Sequence, residues 1–127
     1  EDKGPADAML RLWAATEISE LPGHHALGHY LLGKQFLSIS APEQALVVLE
    51  RASEPPPGEP RLDSPVMRRS LRWALVSALV QMQQWTRARA LLDVIEREDV
   101  EGRGHLADIE EWRARVDFYE RWFAAQG

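Results

Sequence analysis

His25 and His29 stand four residues apart, so on a helix their imidazoles share a face, and His24 adjoins them. Such a pair can chelate a transition metal, but a site that holds one needs at least a third ligand. Glu20 is the nearest carboxylate, and Pro22 and Gly23 interrupt the chain between it and the pair. A histidine cluster on a helix surface explains the spacing more simply. Neither a metal nor any other cofactor is expected.

Arginines form a second cluster: Arg68, Arg69 and Arg72 open a helical segment, where guanidinium groups can meet phosphate or an acidic peptide. At the N-terminal end of a helix they oppose its dipole, which calls for an acidic neighbour such as Glu43, Glu50 or a ligand. The run Glu96, Glu98, Asp99 and Glu101 ends the next segment and reads as a solvated terminus. The chain carries no phosphate-cradling glycine loop, nucleophile elbow or paired zinc motif. Its serines, four histidines and carboxylates show no spacing tied to a mechanism. No catalytic residue is expected, and the chain reads as a non-enzyme.

Six helical segments must position these groups. The apolar period marks them at about 5–19, 24–39, 41–53, 65–83, 85–98 and 104–124, and no strand is evident. Ala45, Val48, Leu49 and Ala52 recur as Ala88, Leu91, Leu92 and Ile95, each set at i, i+3, i+4, i+7, so both helices bury one stripe. Ser40-Ala-Pro-Glu43 reads as a capping box, and Ser64-Pro65 as an N-cap followed by proline in the first turn. Residues 53–65 hold five of the eight prolines and cannot continue a helix; they predict a stiff loop inside one domain spanning residues 1–127.

Composition bounds what such helices can do. With 45% apolar and 28% charged residues the chain is too apolar to be disordered. A net charge of −5 argues against general nucleic-acid binding, which depends on neutralising phosphates. No run approaches the roughly 18 apolar residues that cross a bilayer, so no membrane insertion by this segment is expected. Without cysteine there is no disulfide, and cytoplasm and periplasm both stay open, the cytoplasm being preferred. Thirteen arginines against two lysines, with abundant alanine, point to a GC-rich bacterial source. The start at Glu-Asp-Lys, without a signal-peptide pattern, reads as an excised segment of a longer parent.

Laying 24–57 over 67–100, an offset of 43, brings the two halves into register. Leu32, Gly33, Phe36, Ala45, Leu49, Ala52 and Pro57 then fall at the spacing of the tetratricopeptide repeat, which this unit resembles. The second unit keeps Leu75, Leu79, Trp85, Ala88 and Leu92. It departs at Val76, Ile95 and Val100, and His29 and Arg72 stand where the family favours tryptophan. The resemblance covers about 26–59 and 69–102. It implies an all-α fold of antiparallel helix hairpins stacked as a short solenoid, with flanking helices at about 5–19 and 104–124.

In that family the first helices of successive repeats line a groove that takes a peptide or a partner helix. The resemblance therefore implies an adaptor or scaffold module. Its contacts would be Tyr30, Lys34 and Leu37 from one unit and Arg69, Trp73 and Ser77 from the next. Tyr30 and Trp73 are equivalent positions and suit anchors, or equally well packing between helices. Members that bind chaperone termini use asparagines and lysines, and asparagine is absent here. In the last helix Leu106, Ile109, Trp112, Val116, Tyr119 and Phe123 make one apolar stripe, while Phe118 and Trp122 lie to its side. They predict either a wide buried face or a surface for self-association, with a homodimer as the alternative to a foreign partner. An accessory domain of a larger enzyme or membrane protein is the other alternative.

Overall fold

The computed structural model describes residues 4–98 and 106–127, and these form α1 (Gly4–Ser19), α2 (His25–Ser38), α3 (Pro42–Ser53), α4 (Pro65–Gln81), α5 (Trp85–Glu98) and α6 (Leu106–Gln126). The described residues are all-helical and contain no strand. Each helix end falls within two residues of the predicted segment. Asp99, Val100, Glu101 and the predicted start at 104 lie outside the described residues. The chain divides into two compact units, Glu1–Ala78 and Leu79–Gly127.

In the first unit α2 is the central helix, with α1 and α3 both packed against it. Two glycines set how close these neighbours come. A Cβ on Gly28 would lie 2.2 Å from the Ser19 Cα at the end of α1, and one on Gly33 would lie 2.3 Å from the Leu49 side chain of α3. Leu49, Ala45 and Ala52 are fully or almost fully buried on α3, and Ala15 marks the buried face of α1. Leu71, Ala74, Leu75, Val76 and Ala78 supply the buried face of α4, and Leu62 joins the core from the loop. Full burial of one such leucine contributes about 2 kcal/mol. The Tyr30 hydroxyl meets the Ser70 hydroxyl at 2.8 Å, which ties α2 to α4.

The chain leaves α2 and α4 by the same turn. Ser40 N–H donates to the Leu37 carbonyl (3.1 Å) and Ala41 N–H to that of Phe36 (2.8 Å), with Ser40 left-handed at φ 61°. Forty-three residues on, Gln83 N–H donates to Val80 (3.0 Å) and Gln84 N–H to Leu79 (2.9 Å), with Gln83 at φ 60°. Both are Schellman turns that satisfy the last carbonyls of a helix. The helices that follow share a burial pattern too, since Ala45, Leu49 and Ala52 are buried like Ala88, Leu92 and Ile95. Because neither turn uses glycine, Ser40→Gly and Gln83→Gly are each expected to raise stability by about 0.5–1 kcal/mol, read as a higher urea midpoint. A drop in either variant would contradict the left-handed assignment.

One capping expectation is corrected. The Ser40–Glu43 capping box does not form: the N-cap of α3 is Ala41, which makes no side-chain hydrogen bond, with Pro42 opening the helix. Ser40 is committed to ending α2, so the register of the box is off by one residue. Ser64 does cap α4, its Oγ accepting from Met67 N–H at 3.3 Å.

In the second unit α5 and α6 pack antiparallel. Trp85 faces Phe123 with ring centroids 6.0 Å apart. Arg89 reaches Asp117 (2.8 Å) and Glu120, while Arg113 reaches back to Asp93 (2.8 Å) and Glu96 (2.6 Å). Arg113 forks onto two carboxylates of α5 through its two Nη atoms and Arg89 meets two of α6 through Nη2 alone, which fixes register more than it adds stability. Ala88, Leu92 and Ile95 from α5 and Ile109 and Val116 from α6 are buried.

Candidate functional site

α2 begins without a side-chain cap of its own, because His24 makes no capping hydrogen bond. The cap comes instead from the proline-rich loop: Glu59 accepts from Gly23 N–H at 3.1 Å and from His25 N–H at 3.2 Å. A carboxylate there satisfies donors that a helix start leaves unpaired and matches its positive dipole end. Glu59 is delivered by a turn over Pro56, Pro57 and Gly58, closed by Glu59 N–H to the Pro56 carbonyl at 3.1 Å. Gly58 supplies the φ of 91° that this turn needs.

The two backbone bonds from Gly23 and His25 hold the Glu59 carboxyl below its ordinary pKa. His25 is also held below the ordinary imidazole value, by partial burial first and then by His29 and Arg51, against the opposing pull of Glu59. The His25 and His29 rings stack with centroids 4.0 Å apart. His29 Nδ1 donates to the His25 carbonyl at 2.8 Å, and His25 Nδ1 is buried with no hydrogen-bond partner among the described residues. No group of three or more His, Asp or Glu side chains among the described residues is placed to hold a metal ion.

Acidification should therefore weaken the fold in two steps. The folded state favours neutral His25, so stability falls once pH drops below about 6.5, where the unfolded chain takes up the proton first. Glu59 contributes stability above the ordinary carboxylate value, lost as pH falls through its lower folded pKa. Urea midpoints measured from neutral pH downward should decline, and Glu59→Gln should remove the more acidic step. A midpoint that rose on acidification below neutral would overturn this account.

The residues expected to meet a partner divide by helix. On α2, Tyr30 is buried at 9% exposure with its hydroxyl on Ser70, Leu37 is half-buried and Lys34 is exposed. On α4, Arg69, Trp73 and Ser77 are all half-buried and each is engaged within the protein. Spacings of three or four residues put 30, 34 and 37 on one side of α2, and 69, 73 and 77 on one side of α4. The Tyr30–Ser70 bond brings the two helices together at the first of these turns. Phe118 and Trp122 belong to the second unit and are 56% and 48% exposed, so a wide buried face is not what α6 presents there. Of its apolar stripe, Ile109 and Val116 are buried, Trp112 is half-buried, and Tyr119 and Phe123 stay partly exposed. The side chain of Leu106 lies outside the described residues.

No protein-family model, curated protein or solved structure matches this chain.

Three features went unread in the sequence. Met9, Leu10 and Trp13 form an exposed apolar face on α1. Ala8, Leu12, Ala15 and Ile18 already make a complete inward stripe there, so a tryptophan outside that stripe was the available signal. Glu59 as the cap of α2 left no local signal, because its partners lie 34 and 36 residues earlier. Arg61, in the loop, lines one small pocket with Arg68 and Arg72 of α4, from which it is apart in sequence.

Proposed function

We propose that this chain is a non-catalytic helical module that holds a partner peptide or helix on the side shared by α2 and α4. The observation that carries the proposal is the Tyr30–Ser70 hydrogen bond, which sets α2 beside α4. That arrangement offers Lys34, Leu37, Arg69, Trp73 and Ser77 to one ligand. The matching turns after α2 and α4, the matching burial of α3 and α5, and the resemblance to tetratricopeptide repeats favour the same reading. Tyr30 acts as the packing post and Trp73 as the anchor, since half-buried tryptophan keeps area to offer and loses little rotamer freedom on binding.

The test is capture from source lysate by the wild-type domain, by Lys34→Glu and by Trp73→Ala, after circular dichroism shows that the variants are helical. Selective loss of one captured protein supports the proposal. Capture at equal yield by all three sinks it. A second reading rests on the exposure of Phe118 and Trp122, which suits self-association through α6. Sedimentation across a concentration range, repeated with Phe118→Ser/Trp122→Ser, separates the two, because only self-association predicts a mass that rises with concentration and a variant that abolishes the rise.

A further inference from the structure

The end of α3, the proline-rich loop and the first turns of α4 enclose a small pocket of about 60 Å³. Its floor is apolar: Ala52, Leu62 and Leu71 are all buried. Arg61, Arg68 and Arg72 also line it, with Ser53 beside them. Among the described residues no carboxylate lines it.

Three arginines bring like charge to one concavity, Arg61 and Arg68 from exposed positions and Arg72 from a half-buried one. Arg68 is nonetheless held in place, its Nη1 donating to the Leu62 carbonyl at 2.8 Å. That bond uses one donor of the guanidinium fork and orients the rest. Arg72 follows one turn later on the same side of α4, and Arg61 comes from the loop. An arrangement of this kind recognises an oxyanion, because guanidinium presents paired N–H groups at the spacing of two oxygens.

We infer that the pocket binds a carboxylate that carries a small apolar group. The carboxylate is held by the forks of Arg61 and Arg68 beside Arg72, which keeps its own contact within the protein, and the apolar group rests on Leu62 and Leu71. A phosphate would use the arginines alone and leave the leucines facing a strongly hydrated ion; a carboxylate with a short hydrocarbon tail uses both. The ≈ 60 Å³ of room matches a group of a few heavy atoms. The terminal carboxylate of a peptide and an acidic side chain share this chemistry. The site is separate from the side of α2 and α4 proposed above, and it stands or falls independently of it.

The test follows the arginine Nε–Hε signals by NMR while the whole chain is titrated with N-acetyl-valine, its uncharged amide, N-acetyl-glutamic acid α-amide and inorganic phosphate. Saturable shifts at the pocket arginines with millimolar Kd are expected for N-acetyl-valine and not for its amide. If N-acetyl-glutamic acid α-amide binds more tightly, the source is an acidic side chain; if more weakly, a chain terminus. Arg61→Gln, an exposed position outside any helix, should weaken binding about tenfold, the worth of one charge-assisted hydrogen bond, with the dichroism unchanged. Arg68→Gln should weaken it further, and it is read second because it also frees the Leu62 carbonyl. Equal shifts from acid and amide, or an unaffected Arg61→Gln, would overturn the proposal. Tighter binding of phosphate than of N-acetyl-valine would overturn the carboxylate assignment.

Discussion

Gly28→Ala should destabilise the first unit by about 2 kcal/mol or more, reversing the usual gain from replacing glycine inside a helix. At an unobstructed helical position alanine is worth about 1 kcal/mol over glycine. Here the new methyl would fall 2.2 Å from the Cα of Ser19 and 2.3 Å from its backbone nitrogen. Backbone atoms have no rotamer to change, so the relief must come from α1 moving off α2 as a body and giving up contacts around Ala15 and Ala26. Urea unfolding followed by circular dichroism measures the change. A more stable variant would mean that α1 does not close on α2 as described.

Leu49→Ala should cost about 3 kcal/mol, the usual range for truncating a fully buried leucine whose site collapses only in part. Gly33→Ala alone should cost about 1–2 kcal/mol, because its methyl would stand 2.3 Å from the Leu49 Cγ and Leu49 has no exposed direction in which to turn. The two losses should not add. In the double variant the new methyl enters space that the leucine has left, and the coupling should recover about 1 kcal/mol or more. Strict additivity in this cycle would show that Gly33 and Leu49 do not meet, and would remove the close approach of α2 and α3.

The helices themselves were legible because their signals are local. Apolar residues at i, i+3, i+4 and i+7 named Ala45, Leu49 and Ala52 in α3 and Ala88, Leu92 and Ile95 in α5, though Val48 and Leu91 are only half-buried and the buried Leu46 lies outside the stripe; Ser64-Pro65 marked the start of α4. Ser40 was misread because a serine before proline and glutamate looks the same whether it begins one helix or ends another; the left-handed conformation that decides the matter is not encoded in its side chain. Tyr30 shows the limit for site residues. Its place on one side of α2 was readable, whereas its burial against Ser70 depends on a helix forty residues away. Glu59 and Arg61 sit in a segment without periodicity, where only the folded chain says what each reaches.

Glu59 makes the first turn of α2 depend on a loop that the chain forms 34 residues later. The amides of Gly23 and His25 are therefore expected to exchange with solvent deuterium in step with the loop over 54–64, and not with the rest of α2. In native-state exchange that couples two distant stretches into one opening unit, whose free energy is set by how firmly the Pro56–Glu59 turn keeps its shape.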